Sequence, residues 1–537
     1  MDEAKANNET VEDVALNELQ GTEPSRPHLM RSKEDELSVW QSVLRFKAMS
    51  GVAMAAAFSA SLDGYQINLN SGVVSNTGFI AQFANSGQSA IDGKYVSAWG
   101  GIQSTGQTIG QILLQYVTEA YGRKIALYVI WVDLVISIFI ESFATRWYHW
   151  LIAKLFSGLG VGMLQSTVPL YLSEIAPTQL RGFYINAYSF WFVIGQLFAS
   201  VALNSLNKSD PMDFRTPIYT QWSMIGAIIV VFILLPESPW WLVSKGKYDR
   251  AAGMIQKFNG NVPGFNVDEQ IEIMKSTVEE ERQAAERNAE LGQLAVFKGR
   301  NFIRFIIASW PKITQQFVGL ALFNSYSTYF FQTAGSENPF QDTLILSCVQ
   351  LISMLITATL TDQFGRRPLT VYPYAVTVLS VLSVGIIGCF DYAKPSIGAL
   401  LIFFTALASF STTGASAIGY AYAAEIPQQR LRAQTAGWAL ALSNAISVMF
   451  SFCTPLMIDN GGVSNWGVKT GFFFAGTGSV AVVIAWFILP EVTRRTPAEI
   501  DELFEKRVSL RKFKGYVTEV QMHAEENQEL QKEVHIA

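Results

Sequence analysis

Gln315 and Gln316 put two amides side by side in a stretch that is otherwise apolar, and an amide both donates and accepts hydrogen bonds. Asp63, followed by Gly64-Tyr65-Gln66, Asp133 and Lys154 are ionisable residues set in similar stretches. Charge is expensive in apolar surroundings, so each is a functional candidate by default. A polar contact between helices is the expectation for Asp133. A third group is acids and bases in short motifs: Glu119 with Arg123, Glu174 with Arg181, Asp362 with Arg366, and Glu425 with Arg432. A carboxylate and a guanidinium pair through two parallel hydrogen bonds.

Enzymatic chemistry finds little support. The one string resembling a phosphate-binding loop, Gly87 to Gly93-Lys94, has the wrong spacing and is followed by Tyr95. Four histidines form no metal-ligand cluster. The net charge of -5 gives no footprint for nucleic acid. Neither enzyme activity nor a cofactor is expected. Cys348, Cys389 and Cys453 all lie in apolar runs, where they read as small hydrophobes rather than a disulfide framework.

The elements that must position these groups follow from composition. Half of the 537 residues are hydrophobic and only 15% are charged, with a mean hydropathy of +0.23. Soluble domains carry roughly a quarter charged residues. A helix needs about 20 mostly apolar residues to cross a bilayer. Runs of that kind occur near 48–70, 95–118, 125–143, 149–172, 183–204 and 218–236, and again near 304–332, 340–361, 369–390, 397–421, 434–457 and 468–489. They are too long and continuous for barrel strands. The chain thus reads as an all-α membrane protein with twelve transmembrane helices in two six-helix bundles. It divides into a tail, 1–47, a bundle, 48–240, a helical linker, 241–303, a second bundle, 304–490, and a tail, 491–537. Residues 1–47 are polar and acidic-rich, so the first run is expected to be the uncleaved insertion signal. In the linker, Ile271, Met274 and Val278 stand at helical spacing and predict an amphipathic helix.

Three motifs repeat. Glu119 to Lys124 recurs as Asp362 to Arg367, Ser173-Glu174-Ile175 as Ala424-Glu425-Ile426, and Pro236-Glu237 as Pro490-Glu491. Nearly equal spacing of all three argues for duplication of a six-helix unit. Positive residues in short loops mark the inner side of a membrane. Arg123, Lys124, Arg181, Arg366, Arg367, Arg430 and Arg432 share one side with both tails, which are therefore predicted cytoplasmic. Asn207-Lys208-Ser209 then falls on the outer side as a glycosylation sequon.

In this order, Gly122-Arg123-Lys124, Pro169 to Pro177 with Arg181-Gly182, Pro236-Glu237-Ser238-Pro239-Trp240-Trp241, Thr314-Gln315-Gln316-Phe317-Val318-Gly319 and Asp362 to Arg367 resemble the sugar porter family of the major facilitator superfamily. The resemblance covers residues 50–510. Trp191 to Leu197, Tyr326-Ser327-Thr328-Tyr329-Phe330, Arg430 to Ala433 and Asn465-Trp466-Gly467 look more like its fungal α-glucoside (maltose-type) branch. The hexose pattern expects Asn where Ala321 stands and Trp where Tyr420 stands.

The resemblance implies a monomeric carrier of the plasma membrane, working by alternating access between two pseudo-symmetric halves with the cargo near the midplane. The cargo would be a sugar, an α-glucoside or a hexose, moved together with a proton. An uncoupled carrier and a sensor of the same fold are the alternatives. A sugar ring asks for amides and aromatic faces, and the resemblance assigns that role to Gln315, Gln316, Tyr326, Tyr420 and Asn444. Ser189 stands where hexose carriers have Gln, and its shorter side chain would admit a larger sugar. Asp63 and Lys154 are expected to form a buried pair tied to proton exchange, because burial disfavours a carboxylate's charge and a cation favours it. Glu119, Arg123, Glu174 and Arg181 are expected to face Asp362, Arg366, Glu425 and Arg432 across the two halves as a cytoplasmic gate.

Overall fold

The computed structural model describes residues 39–84, 90–176, 180–260, 262, 265–291, 295–390, 394–428, 431–459, 466–493, 495 and 497–518. Most of the expected N-terminal tail and the end of the C-terminal tail therefore lie outside the described residues, as does Arg430. So do the side chains of Asp362 and Arg432.

Twelve spanning segments follow one another. They are Lys47–Phe58 with Ala60–Val74, Gly93–Tyr121, Arg123–Phe143, Trp147–Ile175, Arg181–Ser209 and Thr216–Leu234, then Gly299–Phe317 with Ala321–Ser325 and Ser327–Thr333, Pro339–Phe364, Arg366–Ile387, Pro395–Glu425, Arg432–Ile458 and Thr470–Ile488. They are called the first to the twelfth span below. Among the described helices, nine are long and apolar enough to cross a bilayer by composition alone. The first, second and seventh spans fall short of that standard. The first and seventh are broken, and the second carries Gln103, Gln107, Gln111 and Gln115. Of the second span's glutamines, Gln103, Gln107 and Gln111 are turned to other spans, meeting Asn70, Gln165 and Asn444. Between the bundles, Tyr248–Asn259 and Val267–Leu291 are the helical linker, the latter matching the amphipathic reading.

The repeated motifs build one structure twice. Gly122 and Gly365 have φ of 104° and 92°, a left-handed turn that glycine adopts without strain. Each turn delivers the start of the next span onto a glutamate. Glu237 accepts from the backbone N–H of Arg123 at 2.8 Å and of Lys124 at 3.2 Å. Glu491 accepts from Arg366 at 3.0 Å and Arg367 at 3.1 Å. The first N–H groups of a helix have no partner within it, and a carboxylate there also opposes the positive end of the helix dipole. In each half a tyrosine ties this corner down: Tyr171 donates to Pro236 O, and Tyr422 to Pro490 O, both at 2.8 Å. These corners lie on the side that carries both chain ends, the terminal face.

The apolar core is arranged unequally across the membrane. On the far face one buried cluster draws on both halves, with Leu69, Val73 and Trp99 from one and Phe323, Phe330 and Phe450 from the other. Toward the terminal face the largest clusters are separate, one per half. Within the first half the second and fourth spans meet backbone to backbone. A Cβ built on Gly158 would lie 2.1 Å from Gln103 O, whereas one on Gly226 would meet nothing within 4 Å. Overpacking typically costs about 1–3 kcal/mol. Gly158→Ala is therefore expected to lower the melting temperature of the detergent-solubilised protein by several degrees, with Gly226→Ala leaving it unchanged.

Candidate functional site

A line of polar contacts joins the halves from the far face to the middle of the membrane. The Gly93 N–H donates to Asp459 Oδ2 at 2.7 Å, and the Thr328 N–H to Ser71 Oγ at 3.2 Å. Deeper, Ser200 meets Ser347 at 2.8 Å, Gln196 donates to Asn324 at 2.7 Å, and Ser104 meets Ser451 at 2.8 Å. The line ends at Asn444, which donates to Gln111 at 2.6 Å. The halves are thus closed toward the far face, and the gap between them opens toward the terminal face.

The seventh span positions the candidate ligands. Pro311 removes one helical hydrogen bond, and Gly319, with φ of 95°, stops the helix after Gln315 and Gln316. The chain resumes through a wide turn in which the Tyr326 N–H reaches back five residues to Ala321 O. Both glutamines are buried. Gln315 Oε1 accepts from Lys312 Nζ at 3.3 Å. The Gln316 amide makes no side-chain hydrogen bond among the described residues and is available to a ligand. Tyr420, on the tenth span, is 57% exposed. Its ring lies under the Lys312 ammonium, 3.4 Å from the centroid, and within electrostatic reach of Asp63 in the other half. That exposed surface therefore faces the gap rather than lipid. Ser189 is half-buried on the fifth span, next to Tyr188.

Tyr326 is differently placed. Its hydroxyl donates to Ser451 O at 2.7 Å, and a Cβ on Gly100 would fall 1.6 Å from the tyrosine's own oxygen. It is a strut wedged between the second, seventh and eleventh spans. The Asn444 amide nitrogen is likewise committed to Gln111.

The expected pair of Asp63 with Lys154 is not formed. Lys154 binds Glu141 Oε1 at 2.9 Å, with both side chains fully buried, and its ammonium lies 4.6 Å from the Trp150 ring centroid. The reason is depth: Glu141 ends the third span and Lys154 begins the fourth, so a tight far-face connection brings them together. Gln221 donates to the other Glu141 oxygen at 3.1 Å and accepts from Gln66, which accepts from Ser157 at 2.9 Å. Gln66 is thereby linked to the ion pair through one amide. Asp63 stands apart, buried, accepting from Tyr188 Oη at 3.0 Å and Gln165 Nε2 at 3.2 Å. Among the described residues it has no cationic partner. Asp133 lies against Gly160, and its Oδ2 is buried without a hydrogen-bond partner among the described residues.

The charged corners also differ from expectation. Arg123 holds Glu174 through two hydrogen bonds of 2.6 and 2.9 Å, and Arg366 holds Glu425 at 3.2 Å. Both pairs stay inside one half, because the start of the third or ninth span abuts the end of the fourth or tenth in the same bundle. Arg181 lies over the Trp240 ring, and the exposed Glu119 contributes its backbone carbonyl to Trp241 Nε1. The sequence expectation omits Glu141 and Lys312, although both are ionisable residues in apolar runs, the signal that singled out Asp63.

Two six-helix halves, closed on one face around a polar gap open to the other, define a secondary carrier of the membrane. The chain belongs to the sugar transporter family: the family model described as Sugar (and other) transporter matches residues 52–504. It is 29% identical over 521 residues to a general alpha-glucoside permease of Saccharomyces cerevisiae, spanning 94% of this chain and 82% of that one. It is 31% identical over 428 residues to the maltose permease MAL31 of the same organism, spanning 77% and 67%. The inward-open xylose transporter XylE of E. coli shares the fold, with a TM-score of 0.65 at 22% identity, over 85% of this chain and 99% of that one. The chain is a sugar transporter of the major facilitator superfamily and not an enzyme.

Removing one partner of a buried ion pair typically costs about 3–5 kcal/mol, while replacing both costs much less. Lys154→Met is expected to lower the melting temperature sharply. Adding Glu141→Gln should recover most of the loss in the same thermal scan.

Proposed function

We propose that this transporter carries an α-glucoside, such as maltose, across the plasma membrane by proton-coupled alternating access, as a monomer with both termini in the cytoplasm. The observation that carries the coupling is Asp63, a buried carboxyl in the gap whose partners are neutral donors from the fourth and fifth spans. With no fixed cation among the described residues to hold it ionised, such a group can exist protonated or charged as solvent access and cargo change. The α-glucoside reading is supported by the permeases named above. It also agrees with Ser189 on the fifth span, a shorter side chain than the Gln that hexose carriers have there. Gln315 and Gln316 bond the sugar hydroxyls, and Tyr420 offers its face to the ring.

The terminal face is the cytoplasmic one, since Arg123, Lys124, Arg366 and Arg367 are gathered there. On that face the ion pairs hold each half together while the gap is open. Rocking of the halves about the far-face contacts then alternates access. Such motion needs rigid halves, and the pairs supply part of that rigidity.

The test is uptake of labelled maltose and glucose by yeast lacking its own sugar carriers, with and without an uncoupler. Maltose is expected to accumulate and to leak away when the uncoupler is added. Asp63→Asn should still let maltose equilibrate but not accumulate. Accumulation that survives both treatments removes the coupling, and entry of glucose without any disaccharide removes the α-glucoside reading. Arg366→Glu places two acids together in the second half, and it should lower the maximal rate several-fold without changing the affinity for maltose.

A further inference from the structure

Lys312 is a residue of the gap whose positive charge the transport of a neutral sugar does not use. It is 6% exposed and sits one helical turn before Gln315, where its stem packs 3.3 Å from the Cβ position of Gly419. Among the described residues no carboxylate lies within ion-pair distance of it. Its ammonium meets Gln315 Oε1 and Ser416 Oγ, each at 3.3 Å, and the face of Tyr420. All of these are neutral. A buried charge without a counter-charge is strongly unfavourable, and Asp63 of the opposite half is engaged with Tyr188 and Gln165.

The contact with Gln315 has a directional consequence. An ammonium only donates, so the amide must turn its oxygen toward Lys312 and its NH2 group away. Two acceptor contacts leave the ammonium a third N–H. The corner of the gap around Lys312 and Gln315 therefore offers spare donors and a positive charge, and the Gln315 and Ser416 oxygens there each already accept from the ammonium. A hydroxyl needs only one donor or one acceptor there; a carboxylate uses the donors and the charge together.

We propose that the cargo includes sugars bearing a carboxylate, held at Lys312 with Gln315 as the second donor, and that these acids bind more tightly than the corresponding neutral sugars. This rests on the reading of the gap as a sugar site and names the chemical class it selects. In α-glucoside form the fitting ligand is maltobionate, in which the second ring of maltose is opened to an aldonic acid. In monosaccharide form it is glucuronate.

The experiment uses the purified full-length transporter in proteoliposomes, with labelled sugar uptake competed by maltose, maltobionate, glucose and glucuronate at one pH. The acid of each pair is expected to compete about tenfold better than its neutral partner, the scale of one charge-assisted hydrogen bond. Lys312→Gln should erase that preference, so that each acid competes no better than its neutral partner, and Lys312→Arg should retain part of the preference. Competition by the neutral sugars but not by the acids overturns the proposal and leaves the sugar reading intact. A preference for the acids that survives Lys312→Gln overturns the role of Lys312. Competition by none of the four overturns the sugar reading as well.

Discussion

Two glutamates, Glu237 and Glu491, hold the fold's geometry at equivalent places. Each carboxylate takes the free N–H groups that open the third or ninth span, directly after a glycine turn that would otherwise be unanchored. The same residue follows the proline that ends the sixth or twelfth span, so one side chain fixes three elements. The neighbouring arginine then reaches the glutamate at the end of the fourth or tenth span. Spans that would otherwise be independent rods in lipid become a corner-braced unit, and this happens once per half.

That bracing decides how the halves meet. On the far face they share an apolar core and a line of hydrogen bonds, neutral except for the one that the Asp459 carboxylate accepts from Gly93. The terminal-face ion pairs with both partners described lie inside a half rather than between halves. Neutral contacts can be exchanged for water or for other neutral contacts at small net cost, whereas a partly buried arginine–carboxylate pair is charge-assisted and stronger. The strong contacts therefore sit where the structure must stay fixed, and the weak ones where it must open.

Most of the fold was legible in the sequence because hydrocarbon imposes a simple rule on length and polarity, and because duplication wrote the terminal-face motifs twice. Arg123, Glu174 and their counterparts were recognisable as charged contacts, but spacing along the chain does not say which half an arginine turns toward. The pairing of Lys154 failed for a related reason: the sequence places an acid and a base in spans without giving their depth, and Glu141 was nearer. Tyr326 was legible as an aromatic near the break and not as a strut, since only packing reveals that Gly100 makes room for its hydroxyl. Lys312 follows a proline in a run already marked by two glutamines, and its lack of an acid partner among the described residues is visible only in three dimensions.

The break in the seventh span has a mechanical meaning. Before Gly319 the segment carries Lys312, Gln315 and Gln316; after the wide turn, Ser327–Thr333 touches the first span through Thr328 and Gln332. A continuous helix would transmit any tilt at the cargo directly to the far-face seal. With a joint between them, the two pieces act as a jointed linkage. In the proposed cycle the lower arm clasps or releases its load while the upper arm keeps the latch shut, with the five residues Ala321–Ser325 as the joint.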